Sequence, residues 1–210
     1  MERIDIEGND SMADIFMTVD AGVLWQAADR DIFSVVESET LEKNIPSYLK
    51  DPENKWFGLS KRARTIVFSS DQFTSNDFST YEDLADPKWK GKLCLRTSKK
   101  VYNRSLIASM IDEYGFDQTK EVVSGWISNL ATEVFSNDTN ALKAVSSGQC
   151  GMTIVNTYYL ARLLGDQKYD NLSLFWANQD DRGVHVNISG AGVVKTSKNK
   201  KNAVLLLEYL

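Results

Sequence analysis

The chain has 210 residues, 42% of them hydrophobic and 25% charged, with a formal net charge of −5 at pH 7. That is globular material, enough for one large core or two small ones, and it excludes a disordered chain. The acidic balance argues against nucleic acid or an anionic membrane surface as the main partner and suits a cation or a neutral ligand. No run of about 18 apolar residues is present that could span a membrane.

The opening residues, Met1 to Gly8, are charged and lack the apolar centre of an export signal. They read as the tail of a helix (Glu2 to Glu7), and the far end, Ala203 to Leu210, stops inside an apolar helical pattern with no stop signal. The chain is therefore expected to be an internal piece of a longer protein. Asp14 to Thr18 reads as a buried strand that feeds a helix from Ala21 to Ala28. Asp20, at the junction, is placed either as the helix N-cap or, by the topology of such units, near a ligand beyond the strand end. Trp56 to Phe68 reads as a strand pair or one long bent strand. It sets Arg62 and Arg64 on one face, where arginines bracketed by apolar runs call for an anion or a carboxylate.

Ser79 to Arg96 predicts a capped helical turn over Thr80 to Leu84, a turn at Pro87, and a strand from Lys92 to Arg96. A polar loop follows, and Val101-Tyr102-Asn103 opens a helix running from about Arg104 to Glu113. Asp117 to Asn129 reads as an amphipathic helix and Ala131 to Phe135 as a strand. Ser136 to Thr139 then forms a capping cluster for a helix from Asn140 to Ser147, closed by Gly148. Cys150 to Val155 reads as a strand, Tyr158 to Leu164 as a helix capped by Asn156 or Thr157 and stopped by Gly165, and Leu172 to Trp176 as a further strand. Val184 to Val194 is an extended crossing strand with a glycine hinge at Gly190 and Gly192.

Two stretches carry chemistry. Tyr158 and Tyr159 are adjacent where strand turns into helix, the one backbone setting in which neighbouring side chains can aim at a common point. Arg162, one turn on, can steady a phenolate by charge-assisted hydrogen bonding, and the helix entrance favours negative charge. Tyr102 repeats this placement on a second strand-loop-helix unit. A phenol ionises near pH ~10, so phenolates at neutral pH need a strong external charge, and a hard trivalent cation supplies it. The plainer reading makes the Tyr-Tyr pair half-buried aromatics with hydroxyls in water. The only histidine is His185, so no histidine cluster for zinc or copper can be built. Cys94 and Cys150 fall on predicted strands and are either a disulfide or two buried thiols. No nucleophile-base pair is evident, which argues against an enzyme.

The runs Ala13-Asp14-Ile15-Phe16, Asp20-Ala21-Gly22, Trp56 to Arg64, Tyr81 to Gly91, Val101-Tyr102-Asn103, Asn137-Asp138-Thr139, Asn156-Thr157-Tyr158-Tyr159 and His185 to Gly192 together resemble one family. It is that of the periplasmic ferric-iron-binding proteins of ABC transporters, in their cyanobacterial-type, tyrosine-rich branch. The resemblance implies an α/β, two-lobe periplasmic-binding-protein fold of the hinged type II, truncated here at both ends. Residues 1–92 and 185–210 would form lobe one and 93–184 lobe two. Tyr102, Tyr158 and Tyr159 would be ligands to Fe3+, Arg62 would line the cleft from the facing lobe, Arg162 would support the phenolates, and Asp20 is a further candidate. A tyrosine or histidine from a segment before residue 1 would complete the set. The implied partners are ferric iron and an inner-membrane ABC permease, with no nucleic acid, in a monomeric periplasmic protein. The rival on the same fold is a binding protein for a non-metal solute, such as an organic acid, a sugar phosphate or a polyamine.

Overall fold

Fourteen helices and strands follow one another in an order that already pairs each tyrosine-bearing helix with the strand before it. In chain order they are α1 (Glu2–Glu7), β1 (Ile15–Thr18), α2 (Ala21–Asp29), α3 (Glu39–Asn44), β2 (Phe57–Ser69), β3 (Leu93–Cys94), α4 (Val101–Tyr114), α5 (Phe116–Ser128), α6 (Asp138–Ser146), β4 (Met152–Asn156), α7 (Thr157–Ala161), β5 (Leu172–Phe175), β6 (His185–Val193) and α8 (Lys200–Tyr209). The structure, a computed structural model, describes residues 1–210. The chain divides into two units, Met1–Lys61 with Asn187–Leu210, and Arg62–Val186, so β2 and β6 each run through a boundary.

In the first unit β1 pairs antiparallel with the second half of β6, from Ile15 opposite Val193 to Thr18 opposite Gly190. Apolar residues at helical spacing on α2 (Leu24, Ala27, Ala28) pack with Ile32, Phe33, Trp56 and Ile188. Val36, Leu41, Phe57, Ala191, Val193, Ala203 and Leu207 form a second buried group. The glycines expected as a hinge serve close packing instead. A Cβ at Gly190 would lie 2.5 Å from the Phe57 carbonyl oxygen, and one at Gly192 2.4 Å from that of Lys55.

In the second unit the end of β2 lies between two antiparallel partners. Arg64 to Phe68 face Asn156 to Met152 of β4, and Ile66 to Ser69 face Phe175 to Leu172 of β5. β3 runs parallel to β4, Leu93 beside Met152 and Cys94 beside Thr153. One core gathers Phe68, Phe78, Tyr81, Leu84, Trp89, Leu106, Met110, Trp126 and Met152, and a second gathers Val67, Leu142, Val145, Val155 and Leu160 around the sulfurs of Cys94 and Cys150. Those two cysteines form a disulfide.

Residues 62–92, expected in the first lobe, lie in the second unit, because Phe68, Phe78, Tyr81, Leu84 and Trp89 all enter the core built on Trp126. The turn at Thr80 is a 3-10 helix, Glu82–Ala85. The strand predicted to reach Arg96 ends at Cys94. Beyond it the backbone turns to Phe135, whose amide donates to the Leu95 carbonyl and whose carbonyl accepts from the Thr97 amide. Ala131 to Phe135 is accordingly no strand, and the only ladder pairings near it are the isolated bridges of Leu93 with Leu130 and Arg96 with Phe135.

Candidate metal centre

Two strand-to-helix junctions of the second unit bring the predicted tyrosines to the same position in their helices. Tyr102 is the second residue of α4 and Tyr158 the second of α7, so both phenols leave a first helical turn rather than a loop. α7 ends at Ala161, short of the predicted Leu164, and the chain turns through Gly165 at φ 90°. One turn of helix has little macrodipole. The electropositive character of the site must therefore come from side chains.

The Tyr158 and Tyr159 rings pack at 4.4 Å between centroids, tilted by 33°. The Tyr158 hydroxyl lies near enough to those of Tyr102 and Tyr159 for both to act on its proton, so the three phenols lie together. Burial pushes the Tyr158 phenol well above its ordinary range, and these two hydroxyls raise it further. A hydrogen bond from Asn156 acts the other way. Without a metal, then, Tyr158 is firmly neutral at physiological pH.

Guanidinium groups line the phenol cluster. Arg162 lies 5.0 Å from the Tyr158 ring centre and 5.4 Å from that of Tyr159. Arg96 lies 5.0 Å, and Arg62 6.0 Å, from the Tyr102 ring centre. Arg62 was expected to approach from the facing lobe, but it is the first residue of the unit that carries the tyrosines. Each guanidinium meets a ring face, where the quadrupole attracts a cation.

Behind the phenols sits a polar network that the sequence reading only glimpsed. Arg64 is 2% exposed and Asp138 fully buried. The Arg64 guanidinium donates from Nε and Nη2 to Asn103 Oδ1 at 3.0 and 2.6 Å, and from Nη1 to Asn156 Oδ1 at 3.1 Å. It also donates to both Asp138 oxygens, at 3.2 and 3.3 Å, and to the Ile154 carbonyl at 2.9 Å. Arg96, also buried, shares Asp138 at 3.3 Å. Two guanidinium groups around one carboxylate leave a buried positive charge in excess. Burial pulls the Arg64 pKa down and Asp138 opposes it, yet a guanidinium keeps its proton in either case. Asn156 occupies the N-cap position of α7 without capping it, because its amide is committed to Arg64 and, through Nδ2 at 3.3 Å, to the Tyr158 hydroxyl. Asp138 had been taken for a member of the capping cluster, where Asn137 alone caps α6, through the Asn140 amide. The two apolar runs flanking Arg64 were its signal in the sequence. Arg96, at the end of a predicted strand, had none.

Asp20 belongs to the first unit and acts there as the N-cap of α2, accepting from the Val23 amide at 3.2 Å and from Asn187 Nδ2 at 2.7 Å. His185 contacts Ser109 Oγ through Nδ1 at 3.2 Å. No group of three or more His, Cys, Asp or Glu side chains is disposed to hold a metal ion. The oxygen donors that do cluster are phenols.

The bacterial extracellular solute-binding protein family matches residues 10–210. Iron uptake protein A1 of Synechocystis is 45% identical over 216 residues, covering 100% of this chain and 60% of that protein. A Trichodesmium structure described as IdiA or FutA in complex with iron and citrate ligands superposes with a TM-score of 0.92 at 46% identity, covering 99% of this chain and 68% of that one. The ferric binding protein from Campylobacter jejuni gives 0.92 at 34% identity, covering 99% and 68%. The chain spans about 60% of the length of the Synechocystis relative. With this fold and these likenesses, the chain belongs to the bacterial extracellular solute-binding protein family, in the branch whose cyanobacterial members include proteins named for iron uptake.

Proposed function

We propose that this chain carries the tyrosine side of a ferric-iron site, with Tyr102, Tyr158 and Tyr159 as ligands, in a periplasmic protein that hands iron to an ABC-type permease of the inner membrane. The observation that carries the proposal is the grouping of three phenols, with the Tyr158 and Tyr159 rings 4.4 Å apart, in a chain that offers no cluster of three or more His, Cys, Asp or Glu side chains to hold the ion. Phenolate is a hard oxygen donor, and a trivalent cation reverses the local pKa logic that keeps these phenols neutral. As Fe3+ docks, each phenol loses its proton and three negative charges meet three positive ones. Arg62, Arg96 and Arg162 stay on the ring faces, and Arg162 can also hydrogen-bond a phenolate as it forms. The relatives named for ferric iron and iron uptake support the same reading.

The test is a visible spectrum of the protein titrated with ferric citrate. A broad phenolate-to-iron charge-transfer band should grow to one equivalent. Tyr158→Phe and Tyr159→Phe should each weaken binding by more than the ~10–100-fold that loss of an outer-shell partner costs. A colourless protein that still binds an organic anion, with both variants unaffected, sinks the metal reading and favours a non-metal solute.

A further inference from the structure

Tyr102 and Tyr158 come from separate strand-helix units, and a binding constellation of this kind has to be held to within about 0.5 Å. We infer that Arg64 is the positioning residue, the buried gauge that sets how far apart the two ligand-bearing helix starts stand. This rests on the ferric reading above for its purpose, though not for its geometry.

Three observations carry it. Asn103 follows Tyr102 directly and Asn156 precedes Tyr158 by two residues, and one guanidinium holds both amide oxygens at once, at 2.6 to 3.1 Å. Asn156 then passes the constraint on, since its remaining amide group donates to the Tyr158 hydroxyl at 3.3 Å. Third, the gauge is itself clamped. Arg64 lies directly opposite Asn156 in the β2–β4 register, its carbonyl accepts from the Tyr81 hydroxyl, and Asp138 binds both terminal nitrogens and so fixes the guanidinium plane. Asn103 Nδ2 donates to the Arg96 carbonyl at 2.8 Å, which ties the start of α4 to the end of the β3 segment as well.

An apolar side chain would fill this volume at no desolvation cost, and buried ion pairs in general add little net stability. What an arginine adds is a rigid planar fork that spans two acceptors in fixed directions, which a lysine cannot imitate. Arg64 touches no ligand position directly. It acts through Asn103 and Asn156.

Arg64→Lys, Asn103→Ala and a control, Met110→Ala, are each followed by two measurements. Met110 is fully buried in the same unit, and its loss should lower stability without touching the network. In metal-free protein, hydrogen exchange at residues 101–104 and 156–160 should quicken at least tenfold in Arg64→Lys and stay near wild type in Met110→Ala. With ferric citrate, Arg64→Lys should bind about 10–100-fold more weakly with a shifted and weaker charge-transfer band, as expected when an outer-shell partner is lost. Met110→Ala should keep the wild-type band. Asn103→Ala leaves Arg64 paired with Asp138 and should free only the Tyr102 end, which keeps the idea testable if Arg64→Lys does not fold. Unchanged exchange in both network variants, or equal loosening in the control, overturns the inference. Absence of any band in wild-type protein removes the ferric reading, and exchange alone then decides the role of Arg64.

Discussion

Cutting the Cys94–Cys150 bridge should cost the second unit as much as a large core truncation, and its sequence separation sets the size of the effect. The two sulfurs close a loop across 56 positions that contains α4, α5, α6 and Tyr102. Loop-closure entropy for that length is about 14 cal/mol/K, or about 4 kcal/mol at 25 °C, held by the folded state at the expense of the denatured one. Replacing both cysteines by alanine adds a packing loss, since both are buried against Val67, Leu142, Val145 and Val155. Reduced wild-type protein separates the two effects, because it keeps the sulfur atoms and loses only the link. Denaturant unfolding followed by the fluorescence of Trp89 and Trp126, both in this unit's core, is the assay. The expectation is a loss of about 4 kcal/mol on reduction and somewhat more in the double alanine variant. A loss below about 1 kcal/mol would mean that the denatured chain already restricts this loop, and the entropic argument would fall. The bridge matters to the site as well. β3 and β4 pair at only two positions, Leu93 with Met152 and Cys94 with Thr153, and these strands lead into Tyr102 and Tyr158.

Removing the carboxylate of Asp138 by Asp138→Ala should destabilise the second unit by about 3–5 kcal/mol, because Arg64 and Arg96 are then left buried with no counter-charge; a loss within ~1 kcal/mol in the same unfolding assay would show that water reaches the pair. Ferric binding in weakly buffered solution near pH 7 should release about three protons per iron, one from each phenol, so affinity rises with pH; a pH-stat trace with no release refutes tyrosinate ligation. Burial pushes the Tyr81 phenol up to about 12. Between the ordinary phenol value near ~10 and that point the unfolded chain has lost the proton while the folded chain keeps it. Stability should therefore fall by about 2–3 kcal/mol as pH rises through this window, with nothing lost below it. Tyr81→Phe, less stable at neutral pH for want of its bonds to Arg64 and His185, should show a shallower alkaline fall; an equal slope in both proteins contradicts the assignment.

Much of this was legible in the sequence for identifiable reasons. Apolar spacing and caps found α2, α5 and α6 to within two residues, and the tyrosine positions followed from strand-to-helix transitions at Asn156-Thr157 and Val101. What local pattern could not convey was partnership at a distance. Lys92 to Arg96 and Ala131 to Phe135 both have the composition of strands. Whether they pair depends on what lies beside them in space: Leu93 and Cys94 run beside Met152 and Thr153, whereas Leu95 and Thr97 bond to Phe135 instead. The same limit hid the role of Asp138. In the sequence it sits among capping residues, and only the fold places it between Arg64 and Arg96, 74 and 42 positions before it. Arg62 was assigned to the wrong side of the site for a related reason. β2 is one continuous strand through the boundary between units, and no turn signal marks the place where it changes core.

The residue type at the centre follows from its surroundings. A carboxylate at position 102 or 158 would meet Arg96 or Arg162 and pair with it, at about 4 kcal/mol for a contact at 4 Å in a partly screened setting. That contact would occupy the oxygens before any metal arrived. A neutral phenol meets the same guanidinium groups with its ring face, so no ion pair occupies its oxygen. The cost of this reserve appears on binding. Ionising an ordinary phenol at pH 7 takes about 4 kcal/mol, so three take about 12, and burial of Tyr158 adds to that. Mg2+ or Ca2+, which bind carboxylates and carbonyls well, gain too little from phenolate to meet such a cost. On the proposed ferric reading a hard trivalent ion gains enough, and the reserve of neutral phenols would act as a threshold on charge. Millimolar Mg2+ or Ca2+ should then leave the ferric charge-transfer band unchanged, whereas Ga3+, equally charged and without colour, should erase it.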